Sequence, residues 1–171
     1  MRKIVLRPIL LIILFFAILV SLVLDSYGVE QVKARVAHVA NGDTFVVHCG
    51  NNDDMHVRLY GIDAPELRQS FGEEAKAHLA RLLGTQTISL ELLDVNRYGQ
   101  HLALAYLEDG SLLQEKLLEE GSAWVYPQYC MIPVCRYWTK VEIEARDSRL
   151  GLWQEAAPRQ PWRWREQNVR K

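Results

Sequence analysis

Hydrophobic and polar residues change period several times along the chain, and each period predicts an element. Residues 32–40 alternate apolar with polar, residues 45–49 form a β-branched and aromatic run, and residues 55–60 alternate again. These read as three strands of a meander, the first two joined at Asn41-Gly42, a strong hairpin signal, and the next two by the turn at 50–54. Pro65 stops the strand pattern, and Ser70 or Gly72 can cap a helix running through residues 73–83 to Gly84. Residues 87–93 and 101–107 alternate on either side of the turn Asn96-Arg97-Tyr98-Gly99, giving strands four and five. A helix follows over 111–120, with Ser111 as N-cap, Leu112, Leu113, Leu117 and Leu118 on one face and Gly121 at its end. After a loop rich in Trp, Tyr, Pro and Cys, a third helix spans 139–150.

Five short strands, one helix after the third and two more at the end predict a mainly β domain over residues 29–157, a small closed barrel with about three helices packed on it. Two segments flank it. Residues 1–28 carry Arg2, Lys3 and Arg7, then an apolar run from Ile9 to Leu24 closed by Asp25. That order fits a secretory signal peptide, and the length also fits a retained membrane anchor. Either reading exports the domain to a periplasmic or extracellular location, or holds it at the membrane. Residues 158–171 form a basic tail with Pro161, Trp162 and Trp164 among arginines, too polar for a core and expected on the surface or flexible.

Export bears on the cysteines. Cys130 and Cys135 flank Met-Ile-Pro-Val and can close a small disulfide ring in an oxidising compartment, with two free thiols as the alternative. Zinc is disfavoured, because no second cysteine or histidine pair sits at ligand spacing. Cys49, at a strand end, reads as a small hydrophobe.

The formal net charge is −1 overall, but residues 29–157 carry 12 basic against 19 acidic residues, net −7. A passive nucleic-acid binder needs clustered Lys and Arg, so any polyanion must be held locally, by a metal or by the basic tail.

The candidate chemistry lies in Asn41-Gly42-Asp43-Thr44 and in Val57-Arg58-Leu59-Tyr60-Gly61-Ile62-Asp63-Ala64-Pro65-Glu66. Asp43 and Asp63, at neighbouring strand ends, can offer oxygens to one hard cation, while the longer Glu66 reaches a water beside it. Arg58 and Asp63 are an odd number of residues apart, on opposite faces of an ideal strand, so a bend at Gly61 is needed to bring them together. By spacing alone, solvated turn acids and a metal site both remain open.

Those two blocks, followed by Arg97-Tyr98-Gly99 and by Glu-Ala-Arg-Asp-Ser-Arg-Leu-Gly-Leu-Trp ending at Trp153, resemble in order and spacing the thermonuclease (micrococcal nuclease) family of calcium-dependent phosphodiesterases. The resemblance covers about residues 32–153. It implies an OB-fold barrel that cleaves DNA or RNA. It also implies a calcium ion held by Asp43, Asp63 and the backbone carbonyl of Ala64, with Glu66 as general base or water-orienting group and Arg58 on the phosphate. Tyr98, Tyr126 and Tyr129 fall where the family contacts bases and phosphates, and Arg97 beside Tyr98 joins them as a substrate-binding candidate. Three positions depart from the family pattern: Asn41 replaces an acid, Ala64 replaces a threonine, and Gln100 stands where a second catalytic arginine is usual. A neutral amide supplies no charge, and loss of one charged transition-state contact lowers a rate by about 10² to 10³.

Three readings follow. The first is an exported, calcium-dependent nuclease, weakened by Gln100, whose partner is nucleic acid and which has no obligate protein partner. The second is a catalytically decayed OB-fold module binding nucleic acid or another polyanion. The third is a membrane-tethered domain with a protein partner.

Overall fold

The computed structural model of the chain describes residues 31–50 and 53–168. The targeting segment expected at residues 1–28 lies outside the described residues, among which no helix is long and apolar enough to cross a membrane.

Five strands close a barrel: β1 (Gln31–Val39), β2 (Thr44–Cys49), β3 (Asp53–Leu59), β5 (Thr87–Val95) and β6 (His101–Tyr106), in the order β1-β2-β3-β6-β5. β1 pairs with both β2 and β5, which removes the open edges. β3 and β6 are the parallel pair, and the other neighbours are antiparallel. This is the OB-fold expected from the resemblance. Alternation in β1 sends Ala34 inward and Lys33 and Arg35 outward, while Phe45, Val47, Val57, Ile88, Leu90, Ala103 and Ala105 fill the barrel.

Among the described residues four α-helices pack on it, one more than the pattern predicts. α1 (Gly72–Leu83) buries Ala75, Leu79 and Leu83, one stripe at a spacing of four. Its N-cap position is Phe71, in left-handed backbone with φ 65°, rather than Ser70 or Gly72. α2 (Leu113–Glu119) is stitched to β6 by the buried Gln114, which accepts from Ala105 N–H at 3.2 Å and donates to the Ala103 carbonyl at 2.8 Å. Leu112 holds its cap position, and Ser111 instead bonds back to Asp109. α3 (Cys135–Asp147) starts four residues earlier than expected, directly after the Pro133-Val134 pair, and buries Cys135, Trp138, Val141 and Ala145. α4 (Pro161–Asn168) forms from the tail. Its Pro161 is at the first helical position, where a missing N–H removes no helix bond.

Two local devices aim the strand ends. The β1–β2 connection is a loop over residues 40–43 rather than a two-residue hairpin turn. Gly42 is required there for close approach: a Cβ would lie 2.7 Å from Ala64 Cβ and 2.8 Å from Ala75 Cβ. After β3 the chain bends at Gly61, φ 74°, and leaves the barrel as β4 (Ile62–Asp63), which pairs with β7 (Trp124–Val125). A Cβ on Gly61 would lie 2.7 Å from Cys130 Sγ and 2.9 Å from Trp138 Cζ3, so the bend is packed against the Cys130–Cys135 disulfide.

Because neither alanine near Gly42 has a flexible end that can yield, Gly42→Ala should destabilise the fold by about 1–3 kcal/mol. The shift in urea midpoint at unchanged slope checks it.

Candidate functional site

Asp43 leaves the 40–43 loop with its side chain 2 % exposed. Its Oδ1 accepts from Thr44 Oγ1 at 2.9 Å and from Arg58 Nη1 at 3.1 Å, and its Oδ2 accepts from Ala64 N–H at 3.0 Å. Arg58 sits on β3 opposite Thr44. Its Nη2 lies 3.0 Å from Asp43 Oδ2 and donates to Asp63 Oδ1 at 2.6 Å, so one guanidinium bridges both aspartates. The bend at Gly61 therefore does what the odd spacing requires. Pairing of Asp63 with Trp124, and the Tyr126 N–H donated to the Gly61 carbonyl at 2.9 Å, fix the backbone of the bend.

Glu66 follows Pro65 in a loop whose Glu66 carbonyl accepts from Gln69 N–H at 2.7 Å. Gln69, almost wholly buried, donates through Nε2 to the Arg159 carbonyl at 2.6 Å and so ties this loop to the C-terminal segment. That segment delivers a residue the sequence reading did not place in the site. Arg165, on α4, donates through Nη2 to Asp63 Oδ2 at 2.8 Å and through Nη1 to Asp63 Oδ1 at 3.1 Å and to Glu66 Oε1 at 2.7 Å. Within the tail, residues 158–168 are docked on the body. Its dock is aromatic: Trp162 stacks on Tyr126 with centroids 4.9 Å apart and planes 4° from parallel, and meets Trp124 edge-on at 6.1 Å. Trp162 and Arg165 are three residues apart, hence on one face of the helix. A basic helix bearing tryptophans, set against an acidic body, was the available signal for this contact.

Three carboxylates and two guanidiniums thus share one cluster, with Asp63 wholly buried at its centre. Burial pushes the Asp63 carboxyl up to about 6, with Asp43 adding and the two guanidiniums opposing. The Asp43 charge, joined by Asp63, raises Arg58 above the ordinary guanidinium range against its own burial. Burial opposes the charge on Arg165, but hydrogen bonds and charge from Asp63 and Glu66 outweigh it and raise its value. Tyr126, beside Asp63 and Arg165, is raised first by burial and then by the Asp63 charge.

The donor chemistry suits a hard cation, since Asp43 and Asp63 are buried carboxylates converging on one guanidinium. Among the described residues, however, no three acidic, His or Cys side chains surround a common point that could hold a metal ion. Arg58 and Arg165 lie on the carboxylate oxygens that a cation needs, so Asp63 can take one only as Arg165 gives up Oδ2. Ala64 is tied to Asp43 through its N–H.

The remaining candidates divide. Gln100 closes the 96–100 turn, its Oε1 accepting from Asn96 Nδ2 at 2.9 Å. Arg97 donates to its neighbour Tyr98 Oη at 2.7 Å, and Tyr98 is 73 % exposed, an open aromatic face. Tyr126 has one face covered by Trp162 and contacts Tyr129 at 4.7 Å, while Tyr129 is exposed. Cys130 and Cys135 are bonded, with S–S 2.02 Å, and Cys49 is half-buried against the core.

A family profile of staphylococcal nuclease homologues matches residues 56–155. The chain belongs to that family. Among its relatives, an "uncharacterized endonuclease" of Escherichia coli O157:H7 is 34 % identical over 135 residues, 79 % of this chain and 86 % of that protein. A "micrococcal nuclease" of Shigella flexneri is 36 % identical over 141 residues, 78 % of this chain and 80 % of the relative. A "probable staphylococcal-like nuclease" of Oryza sativa subsp. japonica is 38 % identical over 109 residues, 64 % of this chain but only 32 % of the plant protein. The chain therefore spans most of the bacterial family members and about a third of the plant one. The profile match ends before α4, so Arg165, like Asp43 at the other end, lies outside the matched residues.

Removing Arg58 leaves two buried carboxylates without their common partner. Arg58→Met should cost about 3–5 kcal/mol at neutral pH. The cost should shrink at pH 5, where Asp63, titrating at about 6, already carries a proton. Urea denaturation at the two pH values reads both effects.

Proposed function

We propose that the chain is an exported, calcium-dependent phosphodiesterase hydrolysing DNA or RNA. The observation that carries this reading is the convergence of Asp43, Arg58 and Asp63, with Glu66 joined to Asp63 through Arg165, in a family whose relatives bear nuclease names. Attack on a phosphodiester builds negative charge on the non-bridging oxygens. Arg58, held by two buried aspartates, would present its positive charge to those oxygens. Glu66, partly exposed, would orient a water and accept its proton. Asp43 and Asp63 would hold the calcium ion, which supplies further charge stabilisation at the phosphate. Tyr98, with its open face, offers a stacking platform for one base of a single strand. Export is supported by the basic-then-apolar residues 1–28 and by the Cys130–Cys135 disulfide, which persists in an oxidising compartment.

A second reading, a binding module without catalysis, is favoured by one observation: Gln100 is neutral and engaged with Asn96. Cleavage of single-stranded DNA separates the two. The full chain should cleave with calcium and not with chelator, and Glu66→Gln should lower kcat by about 10² to 10⁴. Binding without cleavage in every condition would leave only the module. A proton on Asp63 must leave before a cation binds. Calcium affinity measured without substrate should therefore fall below pH about 6, by roughly tenfold per unit once Asp63 is protonated.

A further inference from the structure

The site contains a second positive residue in a place where the nuclease signature does not put one. Gln100, at the position where the family resemblance implies a second arginine, is turned into its own loop with Asn96. Arg165 enters the same carboxylate cluster from the C-terminal helix and contacts both the central aspartate and Glu66. We infer that Arg165 is the second catalytic arginine of this protein, contributed by α4 to contact the scissile phosphate in place of Gln100. The inference rests on the phosphodiesterase reading.

Three observations carry it. The first is anchoring. α4 is held by the Trp162–Tyr126 stack, by the buried Pro161 and by the Gln69–Arg159 bond from the Glu66 loop. A helix fastened to the loop that carries Glu66 is a built-in part of the site, unlike a strap that must leave before the site can work. The second is position. The Arg165 side chain is 31 % exposed, against 21 % for Arg58, so it lies at the mouth of the cluster where a phosphate arrives. The third is charge. Asp43, Asp63 and Glu66 with Arg58 alone carry a net −2, which repels a phosphodiester. Arg165 brings this to −1, and a divalent cation then makes the cluster positive. Were Asp63 to hold a cation, Arg165 would be released from that carboxylate, leaving its fork free for a phosphate with Glu66 still in reach.

The test uses the full chain in detergent, as wild type, Glu66→Gln, Arg165→Ala, Arg165→Lys, Gln100→Arg and the double variant Arg165→Ala/Gln100→Arg, all checked for equal melting temperature. Arg165→Lys keeps the charge if the alanine variant fails to fold. Cleavage of single-stranded DNA in calcium gives kcat and KM, and calcium affinity is read without DNA by calorimetry. Loss of the arginine should lower kcat by about 10² to 10³. Lysine should recover part of it, because it keeps charge without the planar fork. Arginine at position 100 should recover activity in the double variant, and calcium should bind Arg165→Ala at least as tightly as wild type. Undiminished or increased kcat in Arg165→Ala, with Glu66→Gln inactive, would overturn the inference and make α4 a cation-competing strap. If the wild type does not cleave at all, the nuclease reading fails separately, and binding decides. Arg165→Ala must then lose at least tenfold in affinity for a single-stranded oligonucleotide, with a salt slope smaller by about 0.7. Unchanged binding would refute a phosphate contact.

Discussion

The bridge that Arg58 makes between Asp43 and Asp63 is the constraint on which the barrel end depends. Two buried carboxylates repel each other and resist desolvation. One planar guanidinium satisfies both, at 3.0 Å and 2.6 Å. The bridge works only if three separate pieces of backbone are correctly placed. Gly42 lets the Asp43 loop approach Ala64 and Ala75, β3 presents Arg58 opposite Thr44, and the left-handed bend at Gly61 turns Asp63 back.

The second layer of support lies outside the barrel. The β4–β7 pair, the Cys130–Cys135 ring and Trp138 all meet at the Gly61 bend, so the part of the chain that aims Asp63 is clamped by residues more than sixty positions later. Around it, Trp124, Trp153 and Trp162 pack edge to face, and Arg146 lies over the Trp153 and Trp124 rings at 4.3 Å and 5.3 Å. This aromatic cluster is the dock for α4. The acidic excess of the body is thereby met locally by a basic helix, which places one guanidinium within reach of Asp63 and Glu66.

How the likeness to the family bears on activity is clarified by the same geometry. A Tyr-Gly-Gln turn in place of Tyr-Gly-Arg looks, in sequence, like the loss of a charge. In the folded chain the cluster still has two guanidiniums, because α4 brings one from beyond the segment that the family profile covers. A chain read motif by motif counts residues within a motif, whereas a site counts charges within a few ångströms.

The barrel was legible in the sequence because it is written locally. Period-two alternation marks the strands, a spacing of three and four marks the helix faces, and Pro65, Gly84 and Gly121 mark ends. The quartet Asp43, Arg58, Asp63 and Glu66 was legible through the ordered likeness to the nuclease family, and strand geometry added only the requirement for a bend at Gly61. What the sequence could not decide was the placement of residues 158–168. A short polar helix has no stability of its own, and its order comes from stacking on Tyr126, hydrogen bonding to Gln69 and pairing with Asp63, all contacts separated by at least 36 positions. Long-range contacts of that kind leave no periodic trace along a chain. Only the tertiary structure could place Arg165 beside the carboxylates that the sequence had already brought together.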